Sequence, residues 1–343
     1  MSAEPSVDVL VVGGGPIGLA AAIEARLAGL TVGVLEPRPA PIDKACGEGL
    51  MPGAVAALQR LGVRPVGWEL SGISYQRAGP GTKYRADHRF TNGNGLGVRR
   101  TVLHAALTAR AAELGVEPVA IKLDSLVQDR EGVRAGGLLA RWLLGCDGLH
   151  SRVSALAGLD APARGMRRFG LRRHFAVAPW SSFVEVRWLP DAEVYITPVA
   201  ADLVGVAVLG PAHTDYARAV AAVPELSGRL PAGPLRGAGP FRRRTARRVA
   251  GRVLLVGDAS GYVDAITGEG IRVGLAQARA AIACIVAGDP GRYERDWRRA
   301  SGDFRKLTGG VLVLAGSPLR PAIVPLAQRL PGLYGTVVER LAR

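Results

Sequence analysis

The residues best suited to chemistry stand in a few short stretches, and they suit a phosphorylated, hydroxyl-rich ligand. Gly13, Gly15 and Gly18 form a Gly-x-Gly-x-x-Gly turn, with Glu36 further along. Asp147-Gly148 and Gly257-Asp258 each end an apolar run, and Gly268-Glu269-Gly270 follows the second. Glycines at such turns let backbone N–H groups approach a pyrophosphate closely. Carboxylates such as Glu36 and Asp258 accept hydrogen bonds from sugar or sugar-alcohol hydroxyls. Cys46, Cys146 and Cys284 are scattered, with no Cys-x-x-Cys and no metal-ligand spacing to the five histidines. No metal is expected.

The elements around these residues fit the same chemistry. Residues 7–12 are the continuous apolar run of a buried parallel strand. Ile17, Ala20, Leu27 and Leu30 then give a helical apolar face, and residues 31–35 read as a second strand ending at Glu36. The helix N-terminus, with Pro16 in its first turn, offers free N–H groups and a positive dipole end to phosphates. Glu36, with Arg38 just beyond, would meet the ribose of an adenosine whose 2'-position is unphosphorylated. Arg100 precedes a helix with Leu103, Leu107, Ala111 and Leu114 on one face. A cation at a helix start makes more sense facing an anion. Ser151 is placed to N-cap a helix after Asp147-Gly148. The late helix carries Ile271, Leu275, Ala278, Ile282 and Ile285 on one face. Its N-terminus would stabilise the negative charge of a reduced flavin ring. One dinucleotide is then held at both ends: phosphates early in the chain, ribityl chain and ring late. A nicotinamide cofactor has no ribityl chain to need the second grip.

In this order, and over nearly the whole chain, the markers resemble the FAD-dependent oxidoreductases of the p-hydroxybenzoate hydroxylase superfamily. Gly13, Gly15, Gly18 and Glu36 match its dinucleotide fingerprint, and Arg100-x-x-Leu103 its arginine-containing contact helix. "CDGLHSRV" matches its Asp-Gly motif, which implies that Asp147 and Gly148 touch FAD and help place NAD(P)H. "VGDASG" matches its Gly-Asp motif, with Asp258 on the ribityl chain. "KACGEGL" (44–50) and "TGEGI" (267–271) are similar to the geranylgeranyl-reductase group. That likeness puts Cys46 and Gly47 beside the flavin, with Gly268, Gly270 and Ile271 around its ring. A Tyr-x-Trp-x-Phe-Pro-like strand of that group is reduced here to "VYITPV", which keeps Tyr195. The halogenase motif Trp-x-Trp-x-Ile-Pro is not matched by "VRWLPD". The chain also resembles small flavoproteins grouped with hydroxylases of polyketide aromatics.

The implied fold is α/β: a Rossmann-like, glutathione-reductase-type FAD domain, an inserted antiparallel substrate sheet and a short C-terminal helical region. The FAD domain is expected over 1–70, 95–165 and 245–300, the substrate sheet over 71–94 and 166–244, and the helices over 301–343. Alternation in residues 183–210 supports an antiparallel meander roofing the flavin, with Tyr195 and Pro198 as pocket residues. His88 and His174 read as exposed strand residues. The greasy C-terminal stretch is broken by Pro318, Pro321, Pro325 and Pro331 into short helices, packed on the body or dipping into an interface. "NGNGLG" (92–97) follows no buried strand and is not a second fingerprint.

The formal net charge of +15 is carried almost entirely by arginine. No basic stretch is interleaved with aromatics for base stacking, so no nucleic-acid partner is expected. "FRRRTARRVAGR" (241–252) reads as a solvated basic loop, with NADPH phosphates or anionic lipid as the functional alternative. Scattered cysteines and the absence of a signal peptide or long apolar span suggest a cytoplasmic protein, with peripheral membrane contact through the C-terminal region as an alternative. The leading expectation is an NAD(P)H-dependent FAD monooxygenase hydroxylating an apolar, polyketide-like aromatic. A flavin reductase saturating prenyl double bonds is the alternative, and a non-catalytic flavin-binding or electron-transfer protein the third.

Overall fold

In the structure, a computed structural model describing residues 6–79, 82–163 and 165–343, the apolar run Val7–Val12 lies inside an eight-stranded sheet. Leu138–Gly145 and Val32–Leu35 flank it, both parallel. Val253–Leu255 and Pro118–Val119 extend the sheet on either side, again in parallel. The register matters most. Val12 pairs with both Leu35 and Gly145, and Gly145 pairs with Leu255. Four strand ends therefore form one row. Gly13, Glu36, Cys146-Asp147 and Val256-Gly257-Asp258 leave the sheet side by side at its carboxyl edge, where ligand sites of open parallel sheets form.

Helices Pro16–Leu27, Arg100–Glu113 and Gly270–Val286 cover one face of this sheet. Ala20, Ala21, Ala22 and Ala25 are fully buried and let the first helix sit close. The first turns of the first and last of these helices touch. A Cβ on Gly274 would lie 2.5 Å from Ile17 Cδ1. Two helix N-termini thus converge on one point. Strands Leu126–Gln128 and Val133–Ala135 and the short helix Arg152–Leu156 cover the other face.

A second sheet has seven strands, in the order Arg236–Ala238, Arg168–Ala176, Leu203–Pro211, Glu193–Ala200, Phe183–Trp188, Gly72–Gly79 and Thr82–Arg89. Neighbours are antiparallel except Phe183–Trp188 with Gly72–Gly79, where hairpins from distant parts of the chain join edge to edge. Val184, Val186, Tyr195, Ala207 and Leu209 face inward. Val194, Ile196, Val204, Val206 and Val208 face the helix Tyr216–Ala221. "NGNGLG" runs into Gly95–Gly97, a strand of a small sheet with Gly49–Leu50 and Trp68–Leu70.

The C-terminal helices close the side. Tyr293–Ala315 runs unbroken through residue 300, since no proline interrupts it before Pro318. Ile323–Arg329 and Pro331–Ala342 follow as the short pieces the prolines imply. No single helix among the described residues is long and apolar enough to cross a membrane; Pro290–Ala315 and Arg320–Arg329, bent by 113°, pass on length and composition only as a pair.

Candidate active site

A cavity of about 300 Å³ runs from the row of strand ends to the inner face of the second sheet. The first turn contributes Gly15 and Pro16 to its wall. Gly15 faces open space, with Arg100 Nη2 nearest at 3.7 Å from where a Cβ would be. Gly13 and Gly18 have a different job. A Cβ on Gly18 would sit 1.7 Å from the Gly13 carbonyl oxygen, so only glycine allows helix and turn to meet. The turn is fixed from two sides. Gly14 donates its N–H to Glu36 Oε2 at 2.9 Å, and its carbonyl accepts from His104 Nε2 at 2.9 Å. Burial pulls the His104 pKa down, so the ring is neutral with its proton on Nε2.

Glu36 departs from expectation. Its oxygens accept from the N–H groups of Gly14 and Arg38 and, at 2.8 Å each, from Arg38 Nε and Nη2. Burial pushes its pKa up, but the Arg38 hydrogen bonds outweigh this and hold it below the usual value. Its acceptor positions are filled, and Arg38, not Glu36, lines the cavity. A ribose reaches Glu36 only after the half-exposed Arg38 side chain swings away.

The other turns leave polar groups open. Asp147 Oδ2 accepts from the N–H groups of Arg152 and Val153 at 2.6 and 3.0 Å, while buried Oδ1 has no partner. Ser151 caps Arg152–Leu156 as its sequence position implies. Gly148, at φ 80, turns the chain along the cavity wall. The Asp258 carboxylate faces the cavity with no hydrogen-bond partner among the described residues. Burial raises its pKa, against the pull of Lys44 and Arg100. Burial lowers the Arg100 pKa while Cys46 and Asp258 favour its charge, and buried Arg100 Nε is unpaired. Helices Pro16–Leu27 and Gly270–Val286 both start without a side-chain cap, so their first N–H groups remain available. Gly268, Gly270 and Ile271 line the cavity at the second helix start, and Cys46 and Gly47 face it from the loop of 44–50. Open carboxylates, orphaned buried atoms and two uncapped helix starts in one row fit FAD.

On the substrate side Tyr195 lines the cavity and donates its hydroxyl to Ile266 O at 2.6 Å, tying the roof to the late turn. Pro198 does not line it. Side chains alternate along a strand, so Thr197 shares the face of Tyr195, and Thr197 Oγ1 donates to Gly47 O at 2.8 Å. The Pro198 carbonyl instead meets Gly97, where a Cβ would lie only 1.7 Å away.

Several positioning residues escaped sequence reasoning. Gln277 Oε1 accepts from Gly257 N–H at 2.8 Å and Ser260 O–H at 3.1 Å, holding the Asp258 turn to the late helix. Glu48, at φ 61, caps the Arg100 helix by accepting Arg100 N–H at 3.0 Å, and accepts from His174 Nε2 at 2.7 Å. His174 is thus buried, not exposed, because it is the partner of a buried carboxylate. His88 pairs with Glu339 at 2.9 Å. Neither histidine lines the cavity.

A parallel sheet with four turns at one edge, roofed by a second sheet over an apolar cavity, defines an FAD-dependent oxidoreductase. Residues 6–224 match the family described as FAD binding domain, and the chain belongs to that family, within the p-hydroxybenzoate hydroxylase and geranylgeranyl reductase superfamily. It is 30% identical over 341 residues to a menaquinone reductase of Mycolicibacterium smegmatis, covering 84% of this chain and 79% of that one. A digeranylgeranylglycerophospholipid reductase of Methanoculleus marisnigri is 27% identical, over 85% of this chain and 81% of that one. A rifampicin monooxygenase of Streptomyces venezuelae is 32% identical over 47% of this chain and 36% of its own. Among solved structures a flavin-dependent brominase superposes with a TM-score of 0.83 at 18% identity, over 98% of this chain and 93% of that one, a likeness of fold alone.

Proposed function

We propose that this protein is an FAD-dependent reductase that saturates a carbon–carbon double bond of an isoprenoid-bearing lipid. The observation that carries this reading is the cavity wall beyond Tyr195. Ile73, Val184, Val186, Leu209, Val311 and Val337 make an apolar surface between the roof and the C-terminal helices. Two relatives matching most of the chain are named for menaquinone and digeranylgeranylglycerophospholipid, molecules whose shared chemistry is an isoprenoid chain. The apolar wall and these two names support the prenyl alternative over aromatic hydroxylation. Bound FAD, once reduced by an external two-electron donor, would supply the hydride. Asp258 would hold the ribityl hydroxyls, the uncapped Pro16–Leu27 start the pyrophosphate, and the Gly270–Ile271 backbone the ring. The apolar wall excludes water from the reacting bond. Saturation also consumes a proton, and Tyr75 on the wall keeps one, its phenol pushed up to about 12 by burial. Such a substrate resides in lipid, so the reading sets the exposed Leu319, Leu326 and Leu333 against a membrane surface.

The second reading is NAD(P)H-dependent hydroxylation of an apolar aromatic, favoured by the partial match to the rifampicin monooxygenase. One experiment separates them. FAD-loaded protein reduced with dithionite under nitrogen is mixed with menaquinone or a geranylgeranyl lipid in detergent, and the products are weighed by mass spectrometry. After reoxidation in air, which returns any quinol to quinone, a lipid still heavier by one H2 is expected, the two hydrogens being on the isoprenoid chain. Oxygen uptake that depends on an added phenol or polyketide, with no saturated lipid, selects hydroxylation instead.

A further inference from the structure

The three C-terminal helices are not held alike. Tyr293–Ala315 is fixed to the cofactor side. The Tyr293 hydroxyl donates to Leu255 O at 2.9 Å, Trp297 Nε1 donates to Ser260 Oγ at 2.8 Å, and the Thr267 and Thr308 hydroxyls meet at 2.8 Å. Ile323–Arg329 is pinned to the second sheet by fully buried Val324, and the Pro321 carbonyl just before it accepts from Arg77 Nη1 at 3.0 Å. Pro331–Ala342 is held by less. The buried cluster it shares with the second sheet is small: Ala86, Tyr334 and Val338. Its ion pair to the long helix, Arg340 with Asp303, is exposed on both sides and worth little.

Yet this last helix makes much of the cavity wall. Tyr334, Val337, Val338 and Leu341 line it, against Val311 from the long helix. The other walls are the row of strand ends, which the cofactor would cover, and hydrogen-bonded strands, which part only at high cost. A single residue, Leu330, joins the last helix to the one before, at φ −121 and ψ 61, and Pro331 keeps Leu330 from continuing that helix. Gly332 beside it faces open space. Such a joint absorbs the dihedral change of a hinge. Further along, polar bonds gather on one side chain. Glu339 Oε1 accepts from His88 Nε2 and from Thr91 N–H at 2.9 Å each, and Oε2 accepts from Asn92 Nδ2 at 3.4 Å. Gly335 lets the histidine in, because a Cβ there would lie 2.7 Å from His88 Nδ1.

We propose that Pro331–Ala342 is a gate, which swings about Leu330 to admit an isoprenoid chain to the cavity and is latched shut by Glu339 on His88 and Thr91. Lids are drawn from elements with few buried contacts, and of the three C-terminal helices this one both lines the cavity and is held least. Leu330 and Leu333 are exposed at the hinge end, where a lipid would supply the chain. The isoprenoid as passenger rests on the function proposed above; the hinge and latch do not.

Native-state hydrogen exchange of the FAD-loaded protein, read by mass spectrometry, tests the gate without a ligand. Amides of residues 335–342 should exchange well before those of Val7–Val12, and Glu339→Gln should speed them about tenfold or more with the strand unchanged. Exchange of the helix only together with that strand, or no effect of Glu339→Gln, overturns the proposal. A covalent latch tests passage. A Cβ on Gly335 would lie 3.6 Å from His88 Cγ, so His88→Cys with Gly335→Cys can close a disulfide, the smaller side chain making the room. Stopped-flow protein fluorescence then follows geranylgeraniol in detergent entering the oxidised form. Entry and exit should both slow about tenfold or more with affinity kept, and dithiothreitol should restore them. Equal rates in the oxidised and reduced forms overturn the gate. Bound-flavin absorbance shows that the variants are folded. If geranylgeraniol binds neither form, the isoprenoid reading falls, and the exchange rates alone uphold or overturn the hinge and latch.

Discussion

Glu269 shows how much a single buried acid sets. It is 2% exposed at the start of the late helix; Oε2 accepts from Arg272 Nε at 2.5 Å and Oε1 has no partner. Burial pushes its pKa from 4.5 up to about 7, against the pull of Arg272. Between those values the folded chain holds a proton that the unfolded chain has released. Its contribution is therefore full below the unfolded value and is lost as pH rises to about 7, a swing of about 3 kcal/mol. Glu269→Gln should then stabilise the protein at pH 8 relative to pH 5, read from urea midpoints; a gain independent of pH contradicts this. His104 acts with the opposite slope. Its pKa is lowered on folding, so its share of stability is lost as pH falls below 6.5. Asp258 is a residue of binding more than of stability. Asp258→Ala should loosen FAD about tenfold or more, since hydrogen bonds to a charged acceptor are the strong ones. Titration of apoprotein followed by flavin fluorescence measures this, and unchanged affinity removes Asp258 from the cofactor.

Gln277 shows the same logic one level up, because it joins two elements. Without it, the buried N–H of Gly257 loses its acceptor, while the Ser260 hydroxyl keeps the Gly257 carbonyl. Gln277→Ala should cost about 1–3 kcal/mol and release FAD at lower urea than it unfolds the first sheet. Coincident loss of bound flavin and far-ultraviolet circular dichroism contradicts that order. Gln277 also marks where the sequence stops being readable. The glycines, the strands feeding them and the helix faces are local patterns, and each sits in the expected type of element. Gln277, Glu48 and His104 act on backbone groups 20, 52 and 90 residues away, so no window of sequence contains both partners. Pro198 is a different kind of miss. Period-2 alternation already ties Tyr195 to Thr197, so that correction was available in the sequence. The filled Glu36 was not, because it depends on where the Arg38 side chain comes to rest.

The whole molecule separates two tasks by layer. The carboxyl edge of the first sheet holds the groups suited to FAD, while the second sheet and the C-terminal helices shape the apolar end. Changes at the far end should therefore leave the cofactor alone. Val337 lies on the last helix, on the cavity wall, far in sequence from every cofactor turn. Val337→Trp adds bulk there, and overpacking costs about 1–3 kcal/mol, a fraction of a domain's stability. Flavin content and the rate of dithionite reduction should match the wild type. Turnover of a long isoprenoid lipid should fall by at least about tenfold through a raised KM, because the loss is in substrate fit. A short prenyl alcohol, which occupies only the end near Tyr195, should be spared. Equal losses for long and short substrates would mean that the chain does not lie along the C-terminal helices. Loss of flavin in this variant would mean that the two layers are one cooperative site, and the division of labour argued from the sheets would fail with it.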